Sequence, residues 1–260
     1  MSSYVVGIWK CRHFWWSLAQ NDLRTRYRRS FLGIAWSLLQ PISMTAVLCV
    51  VFQSLFNQNI KEFAPSIMIG MCFWNFITAC TLQGGQCLFQ GEAYIRQYPA
   101  PLAIYPLRTA LGASFHFGMS LLVVLALRWG FLGFDNLKTL IAVVPALLLM
   151  FVLGWSLAAL SGFLTAYFPD MQHLSEVALQ ILFYATPIIY PASMLRSKGL
   201  GLLVDINPIA CILQLFRDPI LAATFPSMRT LGIACLTVSV LAGSAMLTLS
   251  RLQKTIIFQL

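Results

Sequence analysis

The chain has 260 residues, of which 59% are hydrophobic and 10% charged, with a mean hydropathy of +0.78 and a formal net charge of +9. Soluble globular chains carry about 25% charged residues, so this balance excludes a water-soluble fold. The uncharged runs are far longer than the roughly 10-residue alternating strands of an outer-membrane barrel, which leaves an all-α integral membrane protein as the expected fold class, because backbone groups at membrane depth must be bonded internally.

Residues 4–30 form the first predicted element. Tyr4, Ile8, Cys11, Trp15 and Leu18 recur at helical spacing, and Trp9, Phe14 and Trp16 broaden the aromatic surface. Such a helix lies in the headgroup plane, as a plain anchor or as a docking surface for a cytoplasmic partner. Trp9, Lys10, Arg12, His13, Trp15 and Trp16 break up any secretory apolar core. The first span is therefore expected to act as the insertion signal.

Charged residues bracket six predicted spans: Arg29 and Lys61, Glu62 and Glu92, Arg108 and Arg128, Lys138 and Asp170, Glu176 and Arg196, Arg229 and Arg251. Each interval supplies the roughly 20 residues a membrane helix needs. Pro41 is expected to kink the first. Lys10, Arg12, Arg24, Arg26, Arg28 and Arg29 precede the first span and Lys61 follows it, which places both termini in the cytoplasm.

Between spans two and three, residues 89–106 form the longest cytoplasmic loop, with a short helix through Glu92, Tyr94, Ile95 and Arg96. Pro99, Pro101 and Pro106 are expected to end that helix and stiffen the return, unless the segment is an ordinary connection. Residues 199–225 are apolar but contain Asp205, Pro208, Arg217, Asp218 and Pro219. A charge at mid-bilayer costs at least about 2.5–3.5 kcal/mol, so two short re-entrant helices are expected rather than a span.

Neutral polar groups recur in spans one and two: Trp36, Gln40 and Ser43, then Asn75, Thr78 and Gln86, with Phe73, Trp74 and Phe76 beside them. These suit the lining of a channel that offers neutral hydrogen-bonding and aromatic groups. They equally suit interhelical bonding, worth about 0.6–2 kcal/mol per group. His116 has no carboxylate in spans three and four to relay a proton to, so it is expected to bond a neighbouring helix. Arg128 is expected to snorkel from the outer end of span three. Gly112, Gly118, Gly154 and Gly162 are expected to permit close helix contacts.

The net charge does not indicate nucleic acid, since most Lys and Arg flank apolar runs and no basic–aromatic groove pattern occurs. The seven cysteines lack CxxC spacing and read as small buried hydrophobes, so no metal is expected. No HExxH or GxSxG motif points to a membrane enzyme, and no GxxxxGK[ST] loop is present to cradle ATP phosphates.

The stretch DLRTRYRRSFLGIAWSLLQP, residues 22–41, resembles the amino-terminal signature of ABC-transporter permeases that export polysaccharides: O-antigen, capsule and teichoic acid chains. FPD at 168–170, TPIIYP at 186–191 and INP at 206–208 follow in the same order, where the family often has FRD for FPD and Asn-Pro for Gln40–Pro41. The resemblance implies a permease without its own ATPase site, moving a lipid-linked polysaccharide through a homodimeric channel in a bacterial inner membrane. It implies two copies of a separate ATPase that binds ATP and Mg, and it leaves room for a periplasmic partner.

By the same resemblance, Asp22, Arg24, Arg26, Arg28 and Arg29 lie near the ATPase. Glu92, Tyr94 and Arg96 belong to a coupling helix. Asn207, Pro208, Arg217 and Asp218 fall in an outer gate. The alternatives are a permease for a small lipid or drug, or a secondary transporter. The latter needs an intramembrane ion site, for which the spans offer no Asp, Glu or Lys.

Overall fold

The computed structural model describes residues 2–28, 30, 33, 35–56, 59–97, 100–133, 137–190, 199, 207–253 and 255–256. Every element among them is helical. The order is α1 (Ser2–Lys10), α2 (Arg12–Tyr27), α3 (Ala35–Phe56), α4 (Ile60–Thr78), a π-helical turn (Ala79–Gln83), α5 (Cys87–Gln97), α6 (Ile104–Leu132), a 3-10 segment (Leu137–Ala142), α7 (Val143–Tyr167), α8 (Met171–Ala185), α9 (Pro208–Leu221) and α10 (Met228–Leu252).

Five helices among the described residues are long and apolar enough to cross a membrane: Ala35–Ser54, Ile60–Gln83, Ile104–Phe131, Leu137–Tyr167 and Met228–Leu252. The fifth predicted interval behaves differently. Its helix, α8, starts at Met171 directly after the FPD turn and stops at Ala185 after 15 residues, about 22 Å of helix. Thr186 and Pro187 end it, the proline lacking the amide that would continue the ladder. The predicted remainder at 191–196 lies outside the described residues.

The centre of the bundle is α4. Of its apolar window 78% is buried, against 17% for α3. Ile67, Met68, Ile69, Phe73 and Phe76 of α4 meet Met150 of α7, Phe117 of α6 and Ile212, Leu213, Leu215 and Phe216 of α9 in one cluster. A second cluster closes the other end of the bundle: Leu88 of α5, Leu102, Tyr105, Phe163, Leu249 and Ile256.

In lipid, packing rather than water exclusion holds helices together, so small residues decide where backbones meet. A Cβ on Gly84 would stand 2.5 Å from Ala158 Cα, one on Gly154 2.4 Å from the Phe76 ring, and one on Gly162 3.0 Å from the Gly84 carbonyl. The α4–α5 and α7 backbones therefore touch along a glycine seam. Among the described residues, no heavy atom lies within 4 Å of such a Cβ on Gly112 or Gly118, so these two do not serve close contacts there.

Three local expectations are corrected. The amino-terminal helix is two helices broken at Cys11, with the Trp15 indole N–H donating to the Ile8 carbonyl at 3.2 Å across the break. Pro106 plays no part in ending the short helix, which stops at Gln97; it sits in the first turn of α6, where a missing amide costs no helical bond. Arg128 does not snorkel: it is 5% exposed and donates inward, to the Ile220 carbonyl at 3.0 Å and to the Gly133 carbonyl.

Candidate functional site

The second half of α2 is strapped along the first half of α6. The Asp22 carboxylate accepts both Nε and Nη2 of Arg108 in a bidentate pair. Further along, the Tyr27 hydroxyl lies 3.2 Å from His116 Nδ1 and 3.3 Å from Nε2, with the rings edge-on at 5.7 Å. Residue numbers rise together through both contacts, so the two helices point the same way. His116 lies twelve residues beyond Ile104, about 18 Å up α6. The tip of α2 thus runs alongside the first half of α6. His116 bonds a neighbouring helix, as expected.

Beside this tip the bundle opens into a chamber of about 290 Å³ between α3, α4 and α6. Gln40 of α3, Asn75, Phe76 and Thr78 of α4, Gln83 of the π turn, and His116 and Ser120 of α6 line it, with Arg26 at its rim. Four of the residues singled out from spans one and two, Gln40, Asn75, Phe76 and Thr78, converge here. The others do not. Trp36 is 54% exposed and Ser43 is exposed. Phe73 packs on Phe216 and Trp74 on Phe183 in the core.

Gln86 bonds elsewhere: its amide donates to Gln172 Oε1 at 3.4 Å, and the Gln172 amide donates to the Leu82 carbonyl at 3.4 Å. Leu82 lies in the π turn, where the ordinary i→i−4 ladder is interrupted. Gln172 therefore ties the start of α8 to the irregular turn of span two. Gly85 makes the approach possible, since a Cβ there would stand 2.6 Å from Gln172 Oε1.

On the far side of α2, a cleft of about 240 Å³ opens between α2 and α5, lined by Phe14, Ser17, Leu18, Gln20, Asn21, Arg24 and Tyr94. The Phe14 and Tyr94 rings meet edge-on at 5.8 Å and join the two helices. Glu92 and Arg96 form an exposed i,i+4 ion pair at 2.8 Å on α5. The other face of α5 rests on α6: a Cβ on Gly91 would fall 2.4 Å from the Tyr105 ring. The arginines thus part company. Arg24 faces the cleft and Arg26 the chamber, Arg28 is exposed at the end of α2, and Arg29 lies outside the described residues.

At the opposite end of the bundle, α9 is held by side chains along its length. Asn207 caps it, its Oδ1 accepting the Ile209 and Ala210 amides while its Nδ2 donates to Thr186 Oγ1 at 2.9 Å; Pro208 fills the first helical position. Arg217 donates to the carbonyls of Pro187 at 2.6 Å, Ile188 at 3.0 Å and Ser66 at 3.2 Å. Arg128 and Thr139 donate to the carbonyls of Ile220 and Pro219. Burial raises the Asp218 carboxyl, and neighbouring Arg217 opposes that shift. A single helix, Pro208–Leu221, occupies the described part of the interval expected to hold two short re-entrant helices; residues 200–206 lie outside the described set.

Sequence reasoning missed Arg108, Gln172, Tyr27 and Thr139. Arg108 had a readable signal: Asp22 is the one acid before Glu62. A π turn leaves no such mark, because its residues, ACTLQ, are ordinary helix formers.

The family model for the ABC-2 type transporter matches residues 13–221 of this chain. The chain is also similar to the O-antigen export system permease protein RfbA of Myxococcus xanthus, 26% identical over 203 residues that cover 77% of each chain. Two O-antigen export system permease proteins RfbA of Klebsiella pneumoniae are 19% and 20% identical over 201 residues, again 77% of each chain.

Proposed function

The chain belongs to the ABC-2 type transporter family, and on that premise we propose that it is the permease subunit of an ATP-driven exporter that moves a lipid-linked polysaccharide of O-antigen type across the bacterial inner membrane. The carrying observation is that relatives named as O-antigen export permeases match over 77% of both chains. The chain holds no phosphate loop of its own, so the ATPase is a separate subunit that binds ATP and Mg.

In this reading two copies form the channel and each docks one ATPase. The α2–α5 cleft is the docking face: Phe14 and Tyr94 shape it, Arg24 supplies charge, and the Glu92–Arg96 pair stiffens the helix beside it. A push on α5 reaches α6 through Gly91 and Tyr105. Six crossings with both termini cytoplasmic require α8 to count as the fifth, and α9 then forms the outer gate.

A deletion strain tests the function. Loss of surface polymer with accumulation of lipid-linked chains in the cytoplasm is the expected result, restored by the intact gene and not by a Tyr94→Asp variant. Undisturbed surface polymer in the deletion strain overturns the reading.

A further inference from the structure

Arg26 is the one charged side chain lining the α3–α4–α6 chamber among the described residues, and it has no ion-pair partner among them. The groups behind it are also unused. Thr78 Oγ1 is buried without a hydrogen-bond partner, and the amides of Gln40, Asn75 and Gln83 make no side-chain bond among the described residues. His116 and Ser120 differ, since they are spent on Tyr27 and on a backbone carbonyl. A buried hydroxyl such as that of Thr78 normally finds a partner; Asn75 beside it is half-buried, and Arg26, Gln40 and Gln83 stand at the open side of the chamber. A cation, three amides and a hydroxyl converging without a carboxylate ask for a ligand that is anionic and rich in oxygen.

At about 290 Å³ the chamber sits at the lower end of small-ligand sites of roughly 300–1,000 Å³. It holds a headgroup and not a polymer. Its rim lies at the tip of α2, a helix bearing Trp15, Trp16 and several arginines, a composition that works at the headgroup layer.

We propose that this chamber is a binding site for a phosphate-bearing lipid headgroup, with Arg26 on the phosphate and Gln40, Asn75, Gln83 and Thr78 on its other oxygens. Only the placement at the cytoplasmic leaflet rests on the exporter reading. The residues lining it are not those of the α2–α5 cleft.

Native mass spectrometry of the full chain, released from nanodiscs of mixed phosphatidylglycerol and phosphatidylcholine, tests it. The expected result is selective retention of phosphatidylglycerol, reduced about tenfold in Arg26→Gln as a charge-assisted contact is lost, reduced in Asn75→Leu, and unchanged in Arg24→Gln, which faces the other cleft. A parallel arm adds a long-chain isoprenoid phosphate; its preferential retention, with the same dependence on Arg26, assigns the site to a lipid carrier instead of a bulk phospholipid. Equal retention of neutral and anionic lipid, or anionic retention indifferent to both Arg26→Gln and Asn75→Leu in monodisperse protein, overturns the proposal. The readout does not involve export, so it stands or falls apart from the transported substrate.

Discussion

Asp22 and Arg108 lie 86 positions apart in sequence yet form the bond that sets the path of α2. The Asp22 side chain is 41% exposed and that of Arg108 15%, so solvent screens the pair and its contribution is about 1 kcal/mol. Charge reversal tests it more cleanly than truncation. Asp22→Arg or Arg108→Asp alone is expected to lower the detergent-phase melting temperature by a few degrees, and the doubly reversed protein to recover most of the loss. Additive losses in a double-mutant cycle remove the strap. Arg217 is a different kind of residue. It serves three backbone carbonyls at once, and each buried group left unpaired costs about 1–3 kcal/mol. Arg217→Met is expected to expose the 186–189 turn, seen as faster amide hydrogen exchange there, while Arg217→Lys keeps part of the protection. Unchanged exchange in the methionine variant shows that the clasp holds nothing.

At the scale of elements, the glycine seam separates tolerated from intolerable changes. Gly84→Ala drives a methyl into the Ala158 backbone, which cannot give, and overpacking of this kind costs about 1–3 kcal/mol. Gly112→Ala has open space within the chain, and alanine favours a helix by up to about 1 kcal/mol over glycine. Thermal melts of the two variants are expected to move in opposite directions. An equal drop in both denies the seam its role. These two glycines also show what a single chain reveals before folding. Gly154 and Gly162 were readable as contact points, and Gly112 and Gly118 looked identical to them; which face of a helix meets a neighbour depends on rotation about the helix axis, which hydropathy does not encode in a helix apolar all round. The same reason hid the fates of Phe73, Trp74, Asn75 and Phe76. Consecutive residues on α4 point in different directions, and only the packed bundle tells which of them meet the chamber. The spans themselves were legible because length and missing charge suffice for them. The π turn and the break at Cys11 were not, since each is settled by a neighbour: Gln172 on Leu82 and Trp15 on Ile8.

Across the whole molecule, the side-chain bonds fix which helix ends share a side. Gln172 at the start of α8 meets Leu82, and the turn after α8, at Ile188, meets Ser66 through Arg217. Sixteen residues of α4 and its π turn thus lie alongside sixteen of α8 and its turn, in opposite directions, and traverse about 24 Å together. Both ends of α9 are fastened at the far end of that stretch, to Thr186 on one side and Arg128 on the other. At the near end, the Tyr167 hydroxyl meets Thr255 at 2.8 Å, and Ile256 is buried with Leu88, Leu102 and Tyr105, so the exit of α10 lies beside α5. Since α2 lies against Tyr94 and Arg108, the amino- and carboxyl-terminal segments meet the same end of the bundle, as an even number of crossings with α8 among them requires. Single cysteines at Arg28 and Gln253, introduced into a protein stripped of its own thiols, are expected to react with a membrane-impermeant maleimide only after the cells are opened. A cysteine at Met228, which is 85% exposed, is expected to react in intact spheroplasts. Labelling of Arg28→Cys and Gln253→Cys from opposite sides reduces the bundle to five crossings and turns α8 into a helix that enters and leaves by the same face.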